Sequence, residues 1–171
     1  MGYDLSQLCL VPVGCQHAEA IFLHFTAEVA RYMEAVPLKS RAEAAKIIRQ
    51  WQKGAKDNAV FAIECQGSFL GLVSLHHLQT APEAGLWLKR EVQGRRCGSQ
   101  AFSALLRYAD HLGIAALRYP VDIRNTPSRR IALSFGGKRI QAPQAVSTED
   151  RRTLYLEVYL IPCSKYNTAA D

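Results

Sequence analysis

Residues 83–101 read EAGLWLKREVQGRRCGSQA, in which an apolar run leads through a loop rich in glycine and arginine into a helical pattern. The run at 84–89 has the length and the apolar content of a β-strand. After Gly98 the apolar residues recur at helical spacing, at Phe102, Leu105, Leu106, Ala109 and Leu112. Gly113 then ends the pattern, as glycine commonly ends helices. The stretch therefore predicts a strand, a loop and a helix in succession.

The rest of the chain carries strand and helix patterns of the same kind. Runs rich in apolar and β-branched residues predict strands at 8–13, 59–65, 68–75, 115–123 and 153–161. Helical spacing predicts helices at 16–34, with a break near Thr26, from Ser40 through Trp51, and at 127–135. Ser40 and Glu43 have capping-box spacing, and Gln66-Gly67 marks a hairpin turn. The predicted order β, α, α, β, β, β, α, β, α, β, β includes one strand without assigned bounds between the helix at 127–135 and the strand at 153–161. This order defines a mixed α/β fold.

Length and composition are those of one globular domain. The 171 residues are 49% hydrophobic and 21% charged, with no linker or repeat. We therefore expect a single domain over 1–171, with its core at about 8–161 and a short C-terminal tail at 162–171. No apolar run approaches the length of a membrane span, and the N-terminus lacks the pattern of a secretion signal. These features predict a cytoplasmic protein without a membrane partner.

The cysteines and histidines do not form a metal-binding pattern. The five cysteines are scattered and include no C-x-x-C pair, so neither a disulfide framework nor a zinc site is indicated. His76 and His77 are adjacent and would point to opposite faces of a strand, which argues against a two-histidine site. The other histidines are expected at the surface: His17, His24 and His111. We therefore predict no metal.

The net charge is +6, and arginine doublets concentrate positive charge at 95–96, 129–130 and 151–152. Such charge could attract nucleic acid, an acidic protein surface or a phosphorylated cofactor. Proteins that bind nucleic acid by stacking interleave basic and aromatic residues, whereas the first two doublets here lie beside glycine and serine. The sequence therefore does not favour a nucleic-acid partner.

The loop at 93–99 has the general features of a phosphate site. A glycine-containing loop that enters a helix presents backbone N–H groups together with the positive end of the helix dipole. The Walker A pattern and the G-x-G-x-x-G spacing of dinucleotide sites are both absent. Taken by itself, the loop therefore also fits a solvated surface turn.

Residues 83–101 and 125–137, the latter NTPSRRIALSFGG, together resemble the GNAT acyltransferase superfamily, in particular its branch of ribosomal-protein N-terminal acetyltransferases. The residues in register with the family's motifs are Glu83, Gly85, Trp87, Leu88, Gln93, Gly94, Gly98, Asn125, Ser128, Ile131, Ala132 and Gly136. The resemblance spans roughly residues 8–160. It implies a central, mostly antiparallel sheet flanked by helices, in which the fourth and fifth strands, 84–89 and 115–123, are parallel and splay apart.

The resemblance also implies an acetyl-CoA-dependent N-acetyltransferase, monomeric or homodimeric, that acts on a primary amine of a protein N-terminus or of a small molecule. In this reading the amides of 93–99 hold the pyrophosphate and Asn125 bonds the pantetheine amides. Unpaired amides around Leu88 and Lys89 would face the thioester oxygen, where negative charge develops. The residues expected to bind acetyl-CoA are Leu88, Lys89, Gln93, Gly94, Arg95, Arg96, Cys97, Gly98, Ser99 and Asn125.

Two residues match the family's proton-transferring positions. Glu83 matches a glutamate that acts as general base on the amine, and its alternative role is a solvated loop carboxylate beside Pro82. Ser128 matches the serine that protonates the departing thiolate, and it could also cap a short helix. Tyr32 and Met33 are expected to line the pocket for the acceptor.

Three residues depart from the family pattern: Arg96 replaces a glycine, Gly137 an aromatic residue and Leu86 a tyrosine. If the φ angle of Arg96 is negative and its side chain points outward, the guanidinium can bond a CoA phosphate such as the 3′-phosphate. These departures leave open an alternative, a non-catalytic CoA-binding or regulatory module with the GNAT fold.

Cys97 is a further candidate, because it lies near a helix start between cationic neighbours. This setting could lower the pKa of its thiol and make it a nucleophile. No histidine lies nearby in sequence to assist such chemistry. Direct transfer from acetyl-CoA is therefore the preferred mechanism.

Overall fold

A computed structural model of the chain describes residues 3–164. Its strands, in chain order, are β1 Leu8–Pro12, β2 Ala59–Cys65, β3 Ser68–His76, β4 Glu83–Leu88, β5 Ala116–Asp122, β6 Lys138–Ser147 and β7 Thr153–Pro162. Its α-helices are α1 Ala18–His24, α2 Arg41–Lys53, α3 Cys97–His111 and α4 Thr126–Ser134. The strands form a sheet of order β1-β2-β3-β4-β5-β7-β6. The predicted mixed α/β fold and element order are confirmed.

The sheet is antiparallel except between β4 and β5, which are parallel. Their register consists of the pair Glu83–Arg118, next to which the Arg118 N–H donates to the Pro82 carbonyl at 2.9 Å. Beyond this pair β4 continues along β3, whereas β5 continues along β7. The two strands therefore splay apart, as the resemblance implied.

Strands β2 and β3 are joined by the hairpin turn that the sequence predicted. Gln66 and Gly67 both have positive φ angles, 52° and 75°, as a two-residue type I′ turn requires. Further along β3, the register with β2 shifts between Ile63 and Glu64. There a Cβ on Gly71 would lie 2.1 Å from the Trp87 carbonyl oxygen, so only glycine allows β4 to approach so closely.

The N-terminal half of the chain contains the clearest difference from the predicted elements. Helix α1 ends at His24, and only a short 3₁₀ turn at Val29–Tyr32 follows, so the break near Thr26 is longer than predicted. The residue after α1, Phe25, is buried and packs against Trp87 with ring centroids 5.0 Å apart and the rings tilted by 48°. The predicted cap of α2 is present, because the Ser40 hydroxyl accepts a hydrogen bond from the Glu43 N–H.

Two hydrophobic cores cover opposite faces of the sheet. Side chains alternate along a strand, so Ile63 and Val73 pack with α3, while their neighbours Ala62 and Leu72 pack with α1 and α2. Phe102 of α3 is fully buried in the larger core. Strand β7 contributes Tyr159 and Ile161 to the larger core, whereas the edge strand β6 lies outside both cores. Strand β7 includes Pro162, so the predicted tail begins one residue too early, and its residues 165–171 lie outside the described part of the chain.

No helix between residues 3 and 164 combines the length and the apolar content needed to cross a bilayer.

Candidate active site

The divergence of β4 and β5 opens a cleft of about 470 Å³. Its walls come from α1, α2, the segment at 32–38, strands β3 to β5, the start of α4 and the turn between β6 and β7. Five residues that the sequence singled out line this cleft: Tyr32, Met33, Glu83, Asn125 and Ser128. Residues from distant parts of the chain are thus assembled around one space of the size of a small-molecule site.

Glu83 lies at the base of the fork between β4 and β5. It is the first residue of β4 and is half-buried, so it is not the solvated loop carboxylate of the alternative interpretation. Burial raises the pKa of its carboxyl, and the positive charges of His77 and Arg118 oppose that rise only in part. A carboxylate with a raised pKa is a better proton acceptor, which is the property a general base requires.

Asn125, rather than Ser128, caps helix α4. The Asn125 Oδ1 accepts a hydrogen bond from the Ser128 N–H at 3.3 Å, so the expectation that the Ser128 hydroxyl caps the helix is wrong. The Ser128 side chain lies instead close enough to Tyr119, a buried residue of β5, to lower the pKa of its phenol as a hydrogen-bonding group would. Burial raises the pKa of Tyr119 to about 12, despite this effect of Ser128, so the phenol keeps its proton at neutral pH.

Tyr119 was not among the functional candidates that the sequence indicated. Its only signal was a hydroxyl-bearing aromatic residue in the middle of a predicted strand. The ring packs against Phe102, with centroids 4.9 Å apart, while the residue also lines the cleft. Its contact with Ser128 joins β5 to α4 and depends on how those elements pack, which periodicity does not encode.

The loop at 93–99 leads from β4 into α3 and presents backbone donors at the helix start. The first helical bond of α3 joins the Gln100 N–H to the Arg96 carbonyl at 3.1 Å, so the N–H groups of Cys97, Gly98 and Ser99 precede the helical ladder. The loop is tied to the end of β4, because the Gln93 side chain donates to the Leu88 carbonyl at 3.0 Å. These residues fit a phosphate-bearing cofactor.

Gly98 allows the helix start to pack closely against the cleft. A Cβ at this position would lie 3.2 Å from Ile131 Cδ1 of α4 and 3.5 Å from side-chain carbons of Leu86 and Leu88. A larger residue would therefore push α3 away from both β4 and α4. The glycine therefore serves close packing at the start of α3.

Arg96 does not have the backbone conformation that was expected of it. Its φ angle is +63° and its ψ angle 0°, so it occupies the left-handed region, and the expected negative φ is wrong. Gly94 also has a positive φ, +75°. Turn conformations of this kind direct successive N–H groups to one side, as in anion-binding nests. Arg96 therefore has the glycine-like backbone of the family motif, and its side chain is exposed.

Of the two backbone amides expected to be free at the end of β4, those of Leu88 and Lys89, one remains a candidate donor to the thioester oxygen. The Lys89 N–H donates to the Leu70 carbonyl at 2.9 Å, so its proposed availability to a thioester oxygen is wrong. In an antiparallel pair, N–H groups point alternately toward and away from the partner strand. The Leu88 N–H therefore points away from β3, toward the gap left by β5.

Two other expectations about single residues are also wrong. Cys97 is fully buried, and this burial raises the pKa of its thiol instead of lowering it, which removes the basis for a reactive thiolate. His17 is buried rather than at the surface, with its Nε2 2.9 Å from a Glu64 carboxylate oxygen and its Nδ1 accepting from the Gly14 N–H. Both differences arise from packing against residues distant in sequence.

The charge of the cleft is opposite to that of the chain. Of the residues between 3 and 164 that line it, none is lysine or arginine. Four are glutamates: Glu34, Glu43, Glu83 and Glu149. The histidine that lines it, His76, has a pKa lowered by burial and by neighbouring His77, which favours its neutral form. A negatively lined cleft in a chain of net charge +6 favours cationic ligands.

Arg124 supports one wall of the cleft from behind. Its guanidinium makes two hydrogen bonds, 2.8 and 2.7 Å long, to the carboxylate of the buried Asp122. It also lies 5.5 Å from the ring centroid of Tyr32 and 5.6 Å from that of Tyr155. These contacts place the Tyr32 ring against a fixed cation.

The fold and the cleft define an acyltransferase-like α/β protein, and sequence comparison agrees. Residues 7–138 match the family described as Acetyltransferase (GNAT) domain, which is well over half of the 171 residues. The chain belongs to the GNAT acetyltransferase family, as the sequence motifs predicted. Comparison with curated protein sequences gives no significant match.

Solved structures with a similar fold include enzymes that act on different amines. The spermidine N-acetyltransferase of Vibrio cholerae, in complex with CoA and spermine, is 19% identical with a TM-score of 0.82, over 94% of this chain and 98% of that one. An acetyltransferase of Salmonella typhimurium that modifies the N-terminal serine of ribosomal protein L7/L12 is 19% identical with a TM-score of 0.73, over 91% and 94%. An N-acetyltransferase of Staphylococcus aureus Mu50 is 17% identical with a TM-score of 0.77, over 92% and 99%.

Proposed function

We propose that this protein transfers an acetyl group from acetyl-CoA to a primary amine, and that residues 1–171 form a single N-acetyltransferase domain. The observation that carries the proposal is the cleft at the fork of β4 and β5, which is lined by Glu83 and Ser128. The start of α3 adds backbone donors next to the end of β4.

The residues that would hold the cofactor are those of the loop at 93–99 together with Leu88 and Asn125. The N–H groups at the start of α3 would bind the pyrophosphate, and the exposed Arg95 and Arg96 are suited to bind further phosphate oxygens. When bound, acetyl-CoA supplies the acetyl group as a thioester. The Leu88 N–H is the backbone donor available to an oxyanion at the gap between the strands.

The chain's own residues would move the protons. An amine arrives as an ammonium ion and must lose a proton before its nitrogen can attack a carbonyl carbon, and the Glu83 carboxylate accepts that proton. The Ser128 hydroxyl holds a proton at Oγ for the leaving group. The Tyr119 phenol keeps its proton at neutral pH and stays neutral beside Ser128, so no buried phenolate competes with the leaving group for the Ser128 proton.

The lining of the cleft supports a cationic acceptor. The described lining residues include four glutamates and neither lysine nor arginine. The negative charge of these glutamates would attract an ammonium group. Spermine is the ligand of the Vibrio cholerae structure, and a protein N-terminus is the acceptor of the Salmonella typhimurium enzyme. Both are amines, and the cleft described here favours an acceptor with more than one positive charge.

The proposal is tested in two steps that separate binding from chemistry. Calorimetry and thermal shift should detect binding of CoA and acetyl-CoA, because a ligand of the native state raises the melting temperature. Free thiol is then measured with acetyl-CoA and a panel of monoamines, polyamines and peptides with free N-termini. Binding with amine-dependent release of CoA supports the proposal. CoA binding without turnover on any amine would favour the non-catalytic module instead, and no binding at millimolar CoA would reject both.

A further inference from the structure

Arg152 lies in the turn between β6 and β7, and its guanidinium is hydrogen-bonded to the segment at 30–35 on the other side of the cleft. Its Nε donates to Asp150 Oδ2 at 2.6 Å. Its two terminal nitrogens donate to four backbone carbonyls of one short segment. These are the carbonyls of Ala30 at 2.8 Å, Arg31 at 2.9 Å, Met33 at 3.2 Å and Ala35 at 3.3 Å. The five N–H donors of the side chain thus meet five acceptors.

The segment held by Arg152 is the one that presents acceptor-facing residues. Tyr32, Met33 and Glu34 line the cleft, and they lie between the carbonyls that Arg152 binds. After the 3₁₀ turn at Val29–Tyr32 this backbone belongs to no helix or strand up to α2. Its shape therefore depends on contacts with other parts of the chain, because backbone carbonyls without a ladder require other donors.

Arg152 is itself held rigidly. Its N–H donates to the Thr148 hydroxyl at 2.9 Å, and its carbonyl accepts from the Thr148 N–H at 2.9 Å. The Thr148 hydroxyl also bonds Asp150, which in turn orients the Arg152 side chain. These hydrogen bonds within the turn fix the orientation of the Arg152 guanidinium.

We propose that Arg152 is a positioning residue that determines acceptor binding by fixing the segment at 30–35, whose residues 32–35 form part of the cleft wall. Arg152 is not one of the residues between 3 and 164 that line the cleft, so it acts through Tyr32, Met33 and Glu34. The planar fork of arginine matches four carbonyls at once, whereas lysine has three donors at one point. The inference rests on the proposed acetyl transfer.

The test compares Arg152→Lys with the matched control Arg151→Lys. Both variants keep the charge, and the control changes the exposed neighbour in the same turn. We expect Arg152→Lys to raise the KM for the amine about tenfold, the effect of losing one or two hydrogen bonds, with kcat within about twofold. The Kd for CoA should not change. Asp150→Asn, which weakens the anchor of Nε and alters the bond to the Thr148 hydroxyl but leaves the four bonds to the carbonyls, should change KM in the same direction by less. Arg151→Lys should change none of these values.

A second measurement does not depend on turnover. Amide hydrogen exchange at residues 29–36 should become faster in Arg152→Lys, while exchange in β3 and α3 stays the same. Unchanged KM and unchanged exchange would overturn the proposal. Parallel changes in kcat, KM and CoA affinity, with exchange faster throughout the chain, would also overturn it, because they would show a general loss of stability. If the unsubstituted chain acetylated no amine, the proposed function would fail, and the exchange at 29–36 would still decide whether Arg152 fixes this wall.

Discussion

Within residues 3–164, Glu83 and Arg118 form the single residue pair that joins β4 to β5. The pair places a half-buried carboxylate at the point where two parallel strands separate, with the cleft directly beyond it. The position combines partial desolvation, which raises the carboxyl pKa, with access to a ligand. This relationship leads to the first two predictions.

Replacing Glu83 with glutamine should reduce kcat/KM for the amine by about 10²–10⁴-fold, the usual contribution of a general base. In the unsubstituted protein, log kcat/KM should rise with pH through an inflection above 4.5, because the base must be ionised and burial raises its pKa. Glu34 adds to that rise through its negative charge, so Glu34→Gln should move the inflection to lower pH. Identical profiles for Glu34→Gln and the unsubstituted protein would contradict this assignment.

Glu83→Gln should increase the free energy of unfolding at neutral pH. The folded-state pKa of Glu83 is raised, so the folded state binds the proton more tightly than the unfolded state. Its contribution to the free energy of unfolding is therefore present below the ordinary glutamate pKa and is lost as the pH rises through the raised value. The difference between Glu83→Gln and the unsubstituted protein, measured by urea unfolding, should grow from pH 4 to pH 8. A constant difference would mean that the carboxyl is not destabilised by burial.

Ser128→Ala should slow transfer without unfolding α4. The cap of the helix uses the Ser128 N–H and the Asn125 side chain, and alanine retains that N–H. We expect a rate reduction of about 10²-fold with a small change in melting temperature. Tyr119→Phe is the companion variant, because it removes the phenol and should slow transfer less than Ser128→Ala does. A large loss of helix stability in Ser128→Ala would show that the hydroxyl has a structural role.

Arg96 has opposite effects on stability and on binding. Arg96→Gly should raise the free energy of unfolding by about 0.5–1 kcal/mol, because glycine adopts the left-handed backbone conformation of this position without strain. The gain is smaller than the strain itself, because glycine loses more chain entropy on folding. Arg96→Ala keeps the strain and should weaken CoA binding by about 1–3 kcal/mol through loss of the guanidinium. If the contact is with the 3′-phosphate, binding of dephospho-CoA to Arg96→Ala should hardly change. Equal losses for both ligands would place the contact on the pyrophosphate.

The acidic cleft predicts a dependence on acceptor charge. Glu34→Gln and Glu149→Gln should each raise the KM of a diamine about two- to fivefold, as expected for partly exposed charge pairs. The KM of a monoamine of the same length should change less. High salt should reduce the difference between the two amines, because it screens the carboxylates. An equal effect on both amines would indicate that these glutamates do not interact with a second ammonium group.

The sequence by itself determined the order of the elements and the family. Apolar spacing located α3 and the strands around it, because the period of a helix or strand is a local property. The cap at Ser40 and the turn at Gln66-Gly67 were also predicted correctly, since each depends on a few adjacent residues. The spacing of the motifs at 83–101 and 125–137 identified the family and brought Glu83 and Ser128 forward as candidates.

The tertiary structure decided which groups are free, which are buried and which are held by distant residues. The Lys89 N–H donates to the Leu70 carbonyl, although the family resemblance implied that it was available. The Cys97 thiol is buried, although its local sequence suggested a reactive thiolate. The side chain of Ser128 lies close to the phenol of Tyr119. The guanidinium of Arg152 donates hydrogen bonds to carbonyls more than a hundred residues away in sequence. Availability of a donor, a pKa and the shape of a loop depend on neighbours in space, and those neighbours are set by how the sheet and helices pack.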